Sequence, residues 1–227
     1  MTDTLRARAV VVLATTVFWI ALAVFGAARP DYSQLTKAVS ELGAVGAPHA
    51  LAWNAIGFVV PGLLLATGGL AIATVVDGRR RSLRWLLMGS GIAFAGTGLF
   101  PAVMQHGSPV MQAPLTVGHV VMLLLSSACW LAAIGVLLVK TIRNPAMRWL
   151  LTPLLITTVV SLAGFAANVL HGTIPWLAHR PGLAQRLGFA GYFFWYVSLS
   201  FALTMSATQQ ADTRADQSNH ATPSRER

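Results

Sequence analysis

Few side chains in this sequence could move a proton or hold a polar ligand, and those few fall at one depth. His119, in TVGHVVML, carries an imidazole whose ordinary pKa of about 6.5 suits general acid or base work near neutrality. Glu41 and Arg186 could manage charge beside it. Asn54 and Asn168 are amides inside apolar runs, where an unpaired polar group costs several kcal/mol. With helices starting at Pro48 and Pro114, Asn54 lies about 9 Å and His119 about 7.5 Å below the helix ends, and Asn168 is about 4.5 Å from His171 at the end of its own run. Equal depth predicts that Glu41, Asn54, His119, Asn168 and Arg186, with Ser40 and Gln185, line one polar pocket open to the outside, in which His119 titrates near neutrality.

Each residue also has a simpler reading. The asparagines can be interhelical hydrogen bonds worth about 0.6 kcal/mol, His119 can cap a carbonyl, and Glu41 and Arg186 can pair at the rim. No nucleophile accompanies His119: Ser126 and Ser127 lie about 10–12 Å further along the same run. Five of the six histidines (His49, His106, His119, His171, His179) lie near this edge. They form no HxxxH or HExxH spacing and the single cysteine, Cys129, has no partner, so no metal and no other cofactor is expected.

The elements that must position these groups follow from composition. With 55% hydrophobic and 10% charged residues over 227 positions, the chain is too apolar for an ordinary soluble domain. Apolar runs near 9–28, 50–76, 85–103, 115–139, 149–170 and 184–206 each suffice to cross about 30 Å of hydrocarbon as a helix. They lack the polar–apolar alternation of barrel strands. The expectation is an all-α, polytopic six-helix transmembrane bundle forming one domain over 1–206. The first run, after Arg6 and Arg8 and ending near Gly26-Ala27-Ala28, resembles a signal peptide but is long for a signal core, so a retained helix is expected.

Orientation is read from the basic residues. Arg6, Arg8, Arg79, Arg80, Arg81, Arg84, Lys140, Arg143, Arg148, Arg214, Arg225 and Arg227 fall on one side, against Arg29, Lys37, Arg180 and Arg186 on the other. The positive-inside rule then makes both termini cytoplasmic and the protein an integral, multi-pass component of the cell membrane. The net charge of +9 is accounted for by topology, so membrane lipids are the expected partners and nucleic acid is not. The polar segment 207–227 has the composition of a disordered cytoplasmic tail. Gly57, Gly62, Gly68, Gly69, Gly89, Gly91, Gly96 and Gly98 mark close helix packing. Arg84-Trp85 followed by His106-Gly107, and Arg148-Trp149 followed by His171-Gly172, suggest that the second and third runs repeat as the fourth and fifth.

SELGAVGAPHALAWNAIGFVVPG at 40–62, GTGLFP at 96–101, TVGHVVML at 116–123 and GLAQRLGFAGYFFWYVSLS at 182–200 together resemble the bacterial and archaeal membrane proteins of domain-of-unknown-function family 998. The resemblance implies a six-helix membrane protein and supplies no catalytic residue. Three functional classes follow from the residues: a binder of a lipid or small ligand through the outer pocket, a membrane-embedded enzyme on a lipid or envelope substrate with His119 as acid or base, and a transporter. The transporter is weakened by the lack of Asp or Glu inside any run.

Overall fold

Apolar chain with no water to satisfy its peptide groups must bond them internally, and the helix is the local way to do so. The computed structural model describes residues 2–77, 82–105 and 108–220, with backbone alone at Thr2, Asp77 and 206–220. Arg79, Arg80, Arg81, His106 and Gly107 lie outside the described residues, and with them part of the expected basic loop and of the expected repeat.

Helix α1 spans Thr2–Ala27. A rod follows, made of α2 (Ala50–Trp53), a π-helical stretch (Asn54–Val59) and α3 (Val60–Asp77). The π turn lies just before Pro61, whose ring lacks an N–H and would collide with the carbonyl four residues back in a regular α-helix, so a wider turn relieves the clash. Then come α4 (Ser82–Leu99), two two-residue strands, β1 (Met104–Gln105) and β2 (Ser108–Pro109), paired antiparallel, and α5 (Pro114–Arg143). Helix α6 (Leu151–Val169), entered through a 3-10 turn at Pro145–Leu150, leads through the short α7 (Pro175–Ala178) to α8 (Pro181–His220).

Five helical segments are long and apolar enough to cross a membrane: Asp3–Ala27, Ala50–Val76, Pro114–Arg143, Pro145–Val169 and Pro181–Met205. The third expected run corresponds to α4, which is not among them. Its 18 residues reach about 27 Å, and Arg84 with four glycines dilutes its apolarity. It is nonetheless the most enclosed helix of its half, with Leu83, Leu87, Phe94 and the small residues from Ala93 to Gly98 buried.

Glycine seams decide the packing. A Cβ on Gly62 would fall on the backbone nitrogen of Ala95, and one on Gly91 would fall on that of Ala66. Two small-xxx-small faces, Gly62/Ala66 and Gly91/Ala95, are thus pressed together with the chains running in opposite directions. Ser90 and Ser126 tie α4 to α5 by exchanging bonds, each hydroxyl donating to the other's carbonyl at 3.0 and 2.9 Å. Gly164 and Gly191 let α6 and α8 touch at backbone level, again antiparallel. Helix α8 returns to α1, where the Thr204 hydroxyl reaches the Thr4 carbonyl at 3.4 Å, so the two ends of the packed chain share one end of the bundle. By contrast α5 and α6, joined by a short connection, make few direct contacts. The core among α1, the π-helical stretch, α4 and α8 is aromatic: Phe18, Phe58, Phe94 and Phe193 are buried, with Phe18 and Phe193 ring centres 4.8 Å apart.

Of the expected tail, 221–227 lie outside the described residues, and the segment from Ala207 continues α8 as far as His220. No Gly or Pro interrupts it, and a helix already nucleated by packed turns extends through Ala, Gln and Arg at little cost. The two suggested hairpin copies also pack unlike each other, since α3 and α4 share a glycine seam that α5 and α6 lack.

Candidate functional site

The end of the bundle away from Thr4 is covered by the chain between α1 and α2. Residues 28–49 lie across it as a strap, turning at Gly46, which has φ +81°, and at His49, which takes a left-handed φ of 57° to start α2. Three of the five expected site residues serve this strap. The Asn54 amide donates to the Gly43 carbonyl at 2.9 Å. Glu41 accepts from the Ala38 N–H at 2.9 Å and pairs with the Lys37 ammonium at 3.3 Å. Arg186 donates to the Gln34 side chain (2.9 Å), the carbonyls of Lys37 (3.1 Å) and Gly182 (2.8 Å), and the Tyr32 hydroxyl (2.8 Å).

His119 does different work. Its Nδ1 lies 2.9 Å from the Thr97 carbonyl and 3.0 Å from that of Phe100, and since both partners only accept, Nδ1 carries the proton. The ring thereby closes the C-terminus of α4, where carbonyls otherwise lack partners. Its face is met edge-on by Phe58 at 6.0 Å.

Asn168 is placed elsewhere again, at a cavity of about 120 Å³ where α5 and α6 stand apart. Helix α4 contributes Phe94; α5 contributes Leu123, Leu124, Ser126, Ser127 and Trp130; α6 contributes Phe165, Asn168 and Val169; α8 contributes Gln185, Gly188, Phe189 and Tyr192. Leu124 and Val169, 64% and 59% exposed, stand at its edge on the outer surface of the bundle. No charged side chain lines it among the described residues. Gly188 admits the Asn168 side chain, whose Cβ would be 2.9 Å from a Cβ there. The Asn168 amide makes no hydrogen bond among the described residues. Gln185 accepts the Val39 N–H from the strap through Oε1, and its own amide hydrogens have no partner among the described residues. The Tyr192 hydroxyl lies 2.8 Å from the Ser90 hydroxyl, whose proton goes to the Ser126 carbonyl, so Tyr192 donates to Ser90.

The five residues of equal depth therefore do not meet. Asn54, Glu41 and Arg186 hold the strap, His119 caps α4, and only Asn168 lines the cavity, where Gln185 joins it. Depth along an axis fixes one coordinate; the direction around the axis sends Asn54, His119 and Asn168 to three different interfaces. Sequence reasoning passed over Phe94, Trp130, Phe165, Phe189 and Tyr192. The usable signal was the aromatic density of GFAGYFFWY at 188–196. Among the described residues no three His, Cys, Asp or Glu side chains cluster as metal ligands would.

Replacing Asn54 with leucine should lower the thermal unfolding midpoint in detergent. It strands the buried Gly43 carbonyl, a loss of about 1–3 kcal/mol, whereas Asn54→Asp should strand it as well and add a buried charge. An unchanged midpoint in both variants would show that the strap does not depend on this bond.

No curated protein and no solved structure matches the chain. Residues 12–202 match the family described as protein of unknown function (DUF998), and the chain belongs to that family.

Proposed function

We propose that this is a six-span protein of the cell membrane, both termini cytoplasmic, that takes up an uncharged lipid-phase molecule sideways into the cavity between α5 and α6. The observation carrying the reading is the cavity itself: apolar walls, an edge formed by two exposed aliphatic side chains, no charge, and two amides with unused hydrogens at its outer end. An aqueous solute would have to leave water for such a site; a molecule already in the bilayer does not. For the span count, support comes from α4 running antiparallel to both its neighbours at about the thickness of the hydrocarbon, and from Thr4 and Thr204 sharing one end. For orientation, it comes from Arg6, Arg8, Arg84, Lys140, Arg143 and Arg148 lying at one end of the bundle, against Arg29 and Lys37 of the strap and Arg180 and Arg186 at the start of α8.

Orientation is checked by labelling single cysteines in a Cys129→Ser background: Gly172→Cys should react from outside, and Asn144→Cys only after permeabilisation. The reverse pattern would invert the protein. Uptake is checked in nanodiscs doped with a diazirine-bearing diacylglycerol. Cross-links should concentrate on 123–130 and 185–192 and fall several-fold in Ser127→Phe, which fills the cavity. Labelling confined to outward residues such as Ile156 and Val159 and unchanged by that substitution would overturn the reading.

A further inference from the structure

The cavity is more particular than a slot for an acyl chain. Five aromatic side chains from four helices surround it, with Trp130 at 5.9 Å from Phe165 and 5.5 Å from Tyr192, and Phe94 stacked on Tyr192 at 5.6 Å. Its unused donors are the amide hydrogens of Asn168 and Gln185, and Trp130 forms part of the aromatic wall beside them. A saturated chain seated here would leave both amides unanswered, and a buried donor without an acceptor is costly. An ionised headgroup would be equally out of place, since no cation lines the cavity to offset its desolvation.

We propose that the occupant is the ring of a lipid-soluble quinone. The idea rests on the cavity being a lateral binding site and names the class of molecule it takes. A six-membered ring is of the right order for about 120 Å³ open at one edge, since a closed apolar cavity of about 150 Å³ accepts benzene. Rings pack edge-on or offset against aromatic walls. The carbonyl oxygens of such a ring are neutral acceptors, one of which answers the amides of Asn168 and Gln185 at the outer end while the ring lies against Trp130. The alkyl tail leaves past Leu124 and Val169 into the bilayer, which also explains why the cavity opens to lipid. Only binding is proposed, with no electron transfer.

Quinones quench tryptophan fluorescence on contact, so the purified full chain can be titrated with decyl-benzoquinone in detergent. A saturable component should appear above the linear collisional quenching contributed by the other tryptophans. Trp130→Phe should remove it, and Asn168→Leu, which breaks no hydrogen bond of the protein, should weaken it about tenfold. Purely linear quenching, or a saturable component indifferent to both substitutions, would sink the proposal. Decyl-benzoquinone should also suppress the diazirine-diacylglycerol cross-links in 123–130. If those cross-links form but the quinone neither suppresses them nor quenches saturably, the cavity binds lipid and the quinone assignment is wrong; if they do not form and quenching is linear, both readings fall.

Discussion

A leucine at Gly91 is expected to leave no folded protein. A Cβ there already meets the backbone nitrogen of Ala66 and comes within 2.7 Å of both the Ala66 Cα and the Gly62 carbonyl oxygen. These are backbone atoms of a helix that cannot step aside without breaking the reciprocal contact of Gly62 with Ala95. Overpacking of a tight core costs about 1–3 kcal/mol even where side chains can give way, and here they cannot, so the loss should exceed that range. In size-exclusion chromatography from mild detergent, Gly91→Leu should elute as aggregate. Gly135→Ala is the control, because nothing lies within 4 Å of its Cβ position, and alanine in a helix interior should be neutral or stabilising by up to about 1 kcal/mol. A monodisperse Gly91→Leu protein with an unchanged melting temperature would mean that α3 and α4 do not meet as described.

Removing Arg186 should release the strap. Its guanidinium gathers residues Tyr32, Gln34 and Lys37 onto the start of α8, and the Arg186 and Arg29 guanidinium carbons stand over the Tyr32 ring at 5.6 and 5.7 Å from its centre. Hydrogen bonds from a charged donor are each worth about 1.5–3 kcal/mol, so Arg186→Met should destabilise the strap by roughly 3 kcal/mol after partial compensation by water. Trypsin added outside proteoliposomes should then cut after Lys37 many times faster, the Arg29–Pro30 bond being resistant to it in any case. Arg186→Lys should rescue little, since one ammonium cannot span acceptors that a planar fork reaches together. Equal cleavage rates in wild type and Arg186→Met would refute the clasp.

The same clasp predicts an alkaline limit. Burial pushes the Tyr32 phenol above its ordinary value of 10.0, although the neighbouring Arg186 charge pulls the other way. A raised folded-state value means the fold favours the protonated phenol. Its contribution is therefore complete below pH 10 and is lost as the pH climbs through the higher folded-state value. Protease resistance of the strap should decline in that window, and Tyr32→Phe should remove the dependence while costing the hydroxyl's bonds to Ala38 and Arg186. A decline of the same size in Tyr32→Phe would assign the limit to another group.

By itself the sequence determined the class and the apolar helices. Those depend on quantities summed along the chain: a run of apolar residues must form its own hydrogen bonds in hydrocarbon wherever it packs, and the basic residues gather at one set of run ends whatever the tertiary arrangement. The glycines of the second and third runs were legible as packing marks for the same reason, since small residues admit close approach regardless of partner. Tertiary structure alone decided which polar groups meet. Asn54, His119 and Asn168 share a depth because helices start at similar levels, yet rotation about each axis delivers them to the strap, to the end of α4 and to the cavity. The aromatic density at 188–196 marks one wall of the cavity but not the cavity itself. The cavity exists because α5 leans on α4 through the serine exchange while α6 leans on α8 through Gly164 and Gly191, and a gap left between two well-packed pairs belongs to neither segment.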